Sequence, residues 1–186
     1  MRAIALLLIA GLVGCMSSPP EPARFLLRAE PRIELTSGAS TPVVGWPRVT
    51  LAPYLNRAGL IVEVAENQVR EARYHIWAEP LEQGIWHYVG TQLANELGYP
   101  LNRNMAEKTS WERQISLRVD KFHGTLDGRS QLVASWSITN FRSQGKVTQH
   151  SFSQTHDQDS AGYEGFVEAQ IKLLDQLARA IAASLQ

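Results

Sequence analysis

Residues 115–120 read Ile-Ser-Leu-Arg-Val-Asp, and residues 132–139 read Leu-Val-Ala-Ser-Trp-Ser-Ile-Thr. In the first stretch Ile115, Leu117 and Val119 alternate with Ser116, Arg118 and Asp120; in the second Leu132, Ala134, Trp136 and Ile138 alternate with Val133, Ser135, Ser137 and Thr139. Successive side chains of a strand point to opposite faces, so a period of two marks a strand with one buried side. Between them Leu126-Asp127-Gly128-Arg129 supplies an Asp-Gly pair suited to positive φ angles. Ser143-Gln144-Gly145 turns the chain again, and Val147 to Phe152 reads as a third strand. The expectation is an antiparallel meander, packed on one side and half-covered on the other.

Two helical stripes flank the meander in sequence. Leu81, Ile85, Val89, Leu93 and Leu97 recur every four residues, and Gly98 and Pro100 stop the pattern. Pro80 suits a first helical turn, and Glu79 and Glu82 favour the positive end of the helix dipole. The spacing predicts a central helix over about residues 80–97. Gly84 and Gly90 each cost roughly 1 kcal/mol of helix propensity against Ala, so this helix needs tertiary support. Trp86 and Tyr88 fall at the margins of the stripe, as core edge or as interface anchors. Tyr163, Val167, Ile171, Leu174, Ala178, Ile181 and Leu185 trace a second, longer helix to the C-terminus, widened by Phe166, Leu173, Leu177 and Ala182. A stripe that broad must be buried against a sheet or a partner.

Upstream, Arg24 to Leu27 and Val49 to Leu51 read as short strands, the latter halted by Pro53, and Tyr54 to Arg57 as one helical turn. Residues 28–45 carry Pro31, Gly38, Pro42 and Gly45 and read mostly as loop, with Ile33 and Leu35 pairing briefly. Leu60 to Val64 is rich in branched residues and reads as a strand, followed by a polar turn from Glu66 to Glu71. Arg73 to Trp77 reads as extended, with Tyr74 and Ile76 on one face and His75 and Trp77 on the other; Leu101 to Lys108 reads as loop. The fold class expected is α/β: a layered mixed β-sheet including an antiparallel meander, with a central helix and a long C-terminal helix.

The N-terminus carries a different message. Arg2 precedes an uncharged apolar run from Ala3 to Ala10, and Leu12-Val13-Gly14-Cys15 follows. The run is shorter than the ~20 residues needed to span a bilayer, so it reads as a signal peptide. Leu three residues before the only cysteine, with a small residue just ahead of it, resembles the bacterial lipobox. That resemblance implies that Cys15 is acylated, with palmitate the expected chain, and that residues 1–14 are removed. Residues 15–23 would then form a lipidated tether, and residues 24–186 a single domain. Its eight residues Met16 to Ala23 would reach roughly 25 Å at ~3.1 Å per residue in polyproline geometry. Met16 stands where Asp favours inner-membrane retention in enteric bacteria, so by resemblance the expected location is the periplasmic face of the outer membrane.

Composition excludes several classes. Removing residues 1–14 takes away only Arg2, leaving 17 Lys and Arg against 18 Asp and Glu. Such balance gives no expectation of nucleic-acid binding, which rests on a clustered basic excess. With Cys15 lipidated no thiol remains for a disulfide or thiolate metal site. No G-x-S-x-G elbow, G-x-x-x-x-G-K-[ST] cradle or G-x-G-x-x-G turn occurs, so neither a catalytic set nor a cofactor is expected. His150 and His156, with Asp157 and Asp159 nearby, suggest a metal only superficially: six residues is not a helical ligand spacing, and a polar strand end and loop is the better reading. His87, between Trp86 and Tyr88, reads as a flank of the core stripe.

The order of Phe25-Leu26-Leu27 behind a lipidated tether, Pro53-Tyr54-Leu55, the strand Leu60 to Val64, and Trp77-Ala78-Glu79-Pro80-Leu81 opening a helix resembles the ABC-type transport auxiliary lipoprotein family, the PqiC-like proteins. Trp77, Glu79, Pro80 and Leu81 are the family's structural mark rather than a catalytic set. The resemblance spans about residues 24–184. It implies a non-enzymatic accessory of an MCE/ABC-type intermembrane lipid transport system. Such a protein docks an MCE-domain periplasmic bridge to the outer membrane and can self-assemble into rings. A lipoprotein chaperone for an outer-membrane transporter remains the alternative; an envelope hydrolase lacks its motifs.

Overall fold

The computed structural model describes residues 19–33 and 41–186, so Cys15, the signal segment and Leu35 lie outside the described residues. Among the described residues eight strands form one mixed sheet: β1 (Ala23–Phe25), β2 (Val44–Gly45), β3 (Thr50–Leu51), β4 (Gly59–Ala65), β5 (Gln68–Trp77), β6 (Arg113–Thr125), β7 (Arg129–Asn140) and β8 (Lys146–Asp157). The main order is β1-β5-β4-β6-β7-β8, with β2 and β3 pairing in parallel beside the first half of β6. Helix α1 (Leu81–Leu97) and helix α2 (Gly162–Ala183) complete the expected architecture.

The meander is as its alternation predicts. β6, β7 and β8 pair antiparallel, with Ile115 opposite Ile138, Leu117 opposite Trp136 and Ala134 opposite Phe152. Ile115, Leu117, Val119, Leu132, Ala134, Trp136 and Ile138 are buried. A register shift between Val119 and Lys121 switches the parity of β6, which is why Phe122 continues the buried side. Helix α2 lies on that side: Gly124 faces the Phe166 ring, where a Cβ would stand 2.7 Å from it. Trp136 Nε1 donates to Ser184 Oγ at 3.0 Å near the other end of the helix. The opposite face of β6–β8 carries Ser116, Ser135, Ser137, Gln149, Ser151 and Ser153, all half-buried or exposed.

The two helices are fastened to each other by chemistry as well as packing. Tyr88 donates from its hydroxyl to Asp175 Oδ1 at 2.8 Å, and Gln92 Nε2 donates to the same oxygen at 2.6 Å. Burial first, then the Asp175 bond, pushes the Tyr88 pKa up to about 12. Trp46 Nε1 donates to the Trp86 carbonyl at 2.9 Å, and Trp86 Nε1 returns a bond to the Trp46 carbonyl at 3.3 Å. Gly90 lets Trp46 approach, since a Cβ there would stand 2.6 Å from Trp46 Nε1. This is tertiary support of the kind that Gly90 requires. Helix α1 ends on Gly98 at φ 75°, the left-handed stop its sequence predicts.

Several sequence expectations need correction. The polar stretch Glu66 to Glu71 is not a turn: the turn is Glu66-Asn67, with Asn67 at φ 59°, and β5 begins at Gln68. Residues 68–71 are exposed, so their polarity reflects a strand that faces water. The first strand stops at Phe25 rather than Leu27, because its partner β5 ends at Trp77, opposite Phe25. Ile33 pairs in no strand, whereas β2 lies inside the stretch read as loop and borrows its regularity from β6. Met105–Ser110 is a 3-10 segment opened by Asn104, whose side chain accepts from Ala106 N. Pro53–Leu55 is likewise a 3-10 turn, one residue earlier than expected.

Candidate docking surfaces

Trp77, Glu79, Pro80 and Leu81 come together at the corner where β5 becomes α1. Trp77 is 7 % exposed and stacks on Phe122, ring centres 6.2 Å apart. Its backbone N–H donates to the Ala58 carbonyl at 2.7 Å, and that of Ala78 to the Phe25 carbonyl at 2.8 Å, so β1 and the start of β4 close on the same corner. Arg28 forks onto Glu79, Nη1 to Oε1 at 2.5 Å and Nη2 to Oε2 at 3.0 Å. The Arg28 bond holds the Glu79 carboxyl below its ordinary range. Pro80 offers its carbonyl to the N–H groups of Gln83 and Gly84, while Leu81 is buried. A cleft of about 430 Å³ opens beside the corner, lined by Asn56, Arg57, Ala58, Trp77 and Glu82 among others. The arrangement braces a bend and places no paired acid and base for proton transfer.

The histidines scatter. Strand β8 runs to Asp157, so His150 and His156 share one strand and are six residues apart, ~20 Å at ~3.4 Å per residue. That separation rules out a shared metal, and it replaces the expected strand end and loop with continuous strand. His150 stacks on Trp136 at 5.2 Å, and His75 on Tyr163 at 3.8 Å. His75 and Trp77 thus share the face toward α2 and the core, as the alternation predicts. His87 meets the Trp86 ring edge-on at 4.6 Å. His123 is 2 % exposed, between Tyr54 and Glu63, and loss of solvation lowers its pKa despite the Gly124 carbonyl and the Glu63 carboxylate 3.9 Å away. Among the described residues no group of three His, Cys, Asp or Glu could hold a metal, and no helix is long and apolar enough to cross a membrane.

What the fold leaves open is more informative than its pockets. Strand β8 is the last strand of the sheet, twelve residues long, and all twelve are registered with β7 without a bulge. Its outer edge has no pairing strand among the described residues, and its only formally charged side chains are Lys146 and Asp157 at the ends. Natural edges are usually blunted by central charges, prolines, bulges or a covering element. Beside this edge lies the open face, a shallow concavity of about 660 Å³ lined by Ser116, Arg118, Ser135, Ser137, Gln149 and Ser151, among others. The sequence shows the serines but not that, among the described residues, no helix covers them.

Comparison with known proteins agrees with the geometry. A crystal structure of an uncharacterized protein superposes with a TM-score of 0.76 at 20% identity, covering 90% of this chain and 100% of its own. A structure from Xanthomonas campestris, XCC0632, gives 0.62 at 13% identity over 86% of this chain and 92% of its own. At these identities the likeness shows the fold alone. No curated protein gives a significant match. The family model described as the ABC-type transport auxiliary lipoprotein component matches residues 25–182. That span covers the sheet from β1 through nearly all of α2, and this chain belongs to the ABC-type transport auxiliary lipoprotein family.

Proposed function

We propose that this protein is a non-enzymatic docking component of an MCE/ABC-type lipid transport system. In this reading it is held at the periplasmic face of the outer membrane by acyl chains on Cys15. The single observation that carries the docking role is the unblunted twelve-residue β8 edge beside an uncovered Ser- and Gln-rich face. Extended segments of a partner can add to such an edge through main-chain hydrogen bonds.

The topology supports the orientation. The chain enters the sheet at β1, one border, and β8 is the other border, five strand spacings or ~24 Å away at ~4.8 Å each. An anchor ahead of β1 therefore leaves β8 on the side of the sheet remote from the lipid. The MCE-domain protein is the proposed occupant of this edge, and assembly of several copies into a ring would multiply it.

Copurification from solubilised envelopes tests the reading, comparing the wild type, Cys15→Ser, and the double variant Gln149→Lys, Ser153→Lys on the β8 edge. The expected result is an MCE-domain protein retained by the wild type and lost from the edge variant. Cys15→Ser is expected to fold, to bind the same partner in extracts and to fail in cells. Copurification of a β-barrel alone would select the chaperone role, and full activity of the unlipidated form would show anchoring to be dispensable.

A further inference from the structure

Arg103, in the stretch that reads as patternless, lies half-buried with its guanidinium carbon 4.8 Å from the centre of the Trp86 ring. Its Nη1 stands 3.5 Å from His87 Nδ1. A Cβ on Gly90 would come within 2.5 Å of Nη2, so the missing side chain of Gly90 is what lets the guanidinium rest on α1. The indole beneath is itself fixed by the reciprocal Trp46–Trp86 bonds. The cation therefore lies over an aromatic ring and against the bare backbone of Gly90. Among the described residues no carboxylate lies within ion-pairing distance of it. A guanidinium has five donors, and partial burial removes the water that would otherwise occupy them.

The guanidinium borders a cleft of about 540 Å³ whose walls include Pro47, Arg48, Pro80, Glu82, Trp86 and Met105. Two arginines and one carboxylate line it, and Met105 is 54% exposed. We propose that this cleft binds an extended acidic peptide segment of a partner protein. One carboxylate takes the in-plane edge of Arg103, and a neighbouring apolar side chain rests against Trp86, Pro47 and Met105. A guanidinium fork presents parallel N–H groups in one plane, which suits a planar carboxylate. An anionic bilayer would instead need a raised basic patch, whereas here the cation is recessed and Glu82 lines the same cleft. This surface shares no residue with the β8 edge, and it stands independently of the docking function proposed above.

Fluorescence anisotropy tests the proposal with the full-length lipoprotein in detergent micelles and a labelled peptide Gly-Leu-Glu-Leu-Asp-Gly. Its amide counterpart, with Gln and Asn in place of the two acids, and phosphatidylglycerol vesicles are the comparison probes. Saturable binding of the acidic peptide is expected, weaker by at least about tenfold for the amide peptide and for Arg103→Lys, which keeps the charge but loses the fork. Arg48→Gln should weaken it less, and circular dichroism checks that each variant is folded; should Arg103→Lys not fold, the amide peptide and Arg48→Gln decide. Equal binding of the two peptides, no saturable binding, or unchanged affinity in a folded Arg103→Lys overturns the proposal. So does preference for the vesicles.

Discussion

Gln170, in the middle of α2, has 0 % exposure, and neither its Oε1 nor its Nε2 has a hydrogen-bond partner among the described residues. A buried polar group left unpaired costs about 1–3 kcal/mol, while an apolar side chain of the same shape at the same place carries no such cost. Methionine matches glutamine in length and in helix propensity, and its flexible thioether adapts to an existing space. Gln170→Met should therefore stabilise the fold by about 1–3 kcal/mol. At about 2–4 °C per kcal/mol for a chain of this size, the melting temperature should rise by about 2–12 °C. Thermal melts by far-UV circular dichroism and urea titrations of the soluble domain measure it, and the urea midpoint should rise with an unchanged slope. A lower melting temperature for Gln170→Met would refute the reasoning, because it would mean that the amide is already satisfied inside the protein and contributes to the seating of α2.

Three further outcomes follow from the same structure. Gly90→Ala gains up to about 1 kcal/mol of helix propensity but forces a Cβ against Trp46 Nε1 and Arg103, so a net loss of about 1–3 kcal/mol and a change in tryptophan emission are expected. Asp175→Ala removes the shared acceptor of Tyr88 and Gln92 and should cost about 2–3 kcal/mol in denaturant titration. Burial lowers the folded-state pKa of His123 below its unfolded value near 6.5, so the folded form favours the neutral ring. Stability should then fall as pH drops below about 6.5, and in His123→Gln that part of the fall should disappear from melts recorded between about pH 7 and 5.

Much of the fold is legible because its long elements carry their own periodicity. β6 and β7 alternate residue by residue since one face is against α2 and the other meets water, and both helices show broad apolar stripes for the same reason. The short parallel strands carry no such signal. Val44–Gly45 and Thr50–Leu51 are strands only because β6 runs beside them, so no local pattern marks their limits. The first half of β5 hides for the opposite reason: residues 68–71 lie beyond the reach of β1 and are exposed on both faces, which gives the composition of a turn. β8 extends past Phe152 into His156 and Asp157 because its partner β7 continues to Arg129.

The surfaces are less legible than the fold. Glu79, Pro80 and Leu81 read in the sequence as a helix start and Trp77 is marked by resemblance, but the Arg28 fork and the Phe122 stack that brace this corner carry no linear signal. Arg103 carries no linear signal at all, since its significance depends on Trp86 and Gly90 more than a dozen residues away. The edge character of β8 is likewise a property of topology, because pairing order cannot be read from a single strand.

Site-specific photo-crosslinking in living cells tests docking through β8 most directly. A photoreactive side chain placed at Gln149, Ser151 or Ser153 lies on the exposed part of the strand, and one at Glu66 on the β4–β5 turn serves as the control. The prediction is an MCE-domain protein captured from the three β8 positions and not from the control. Abundant protein at the outer membrane with no MCE-domain adduct from β8, or with capture only of a β-barrel, would contradict the proposed function.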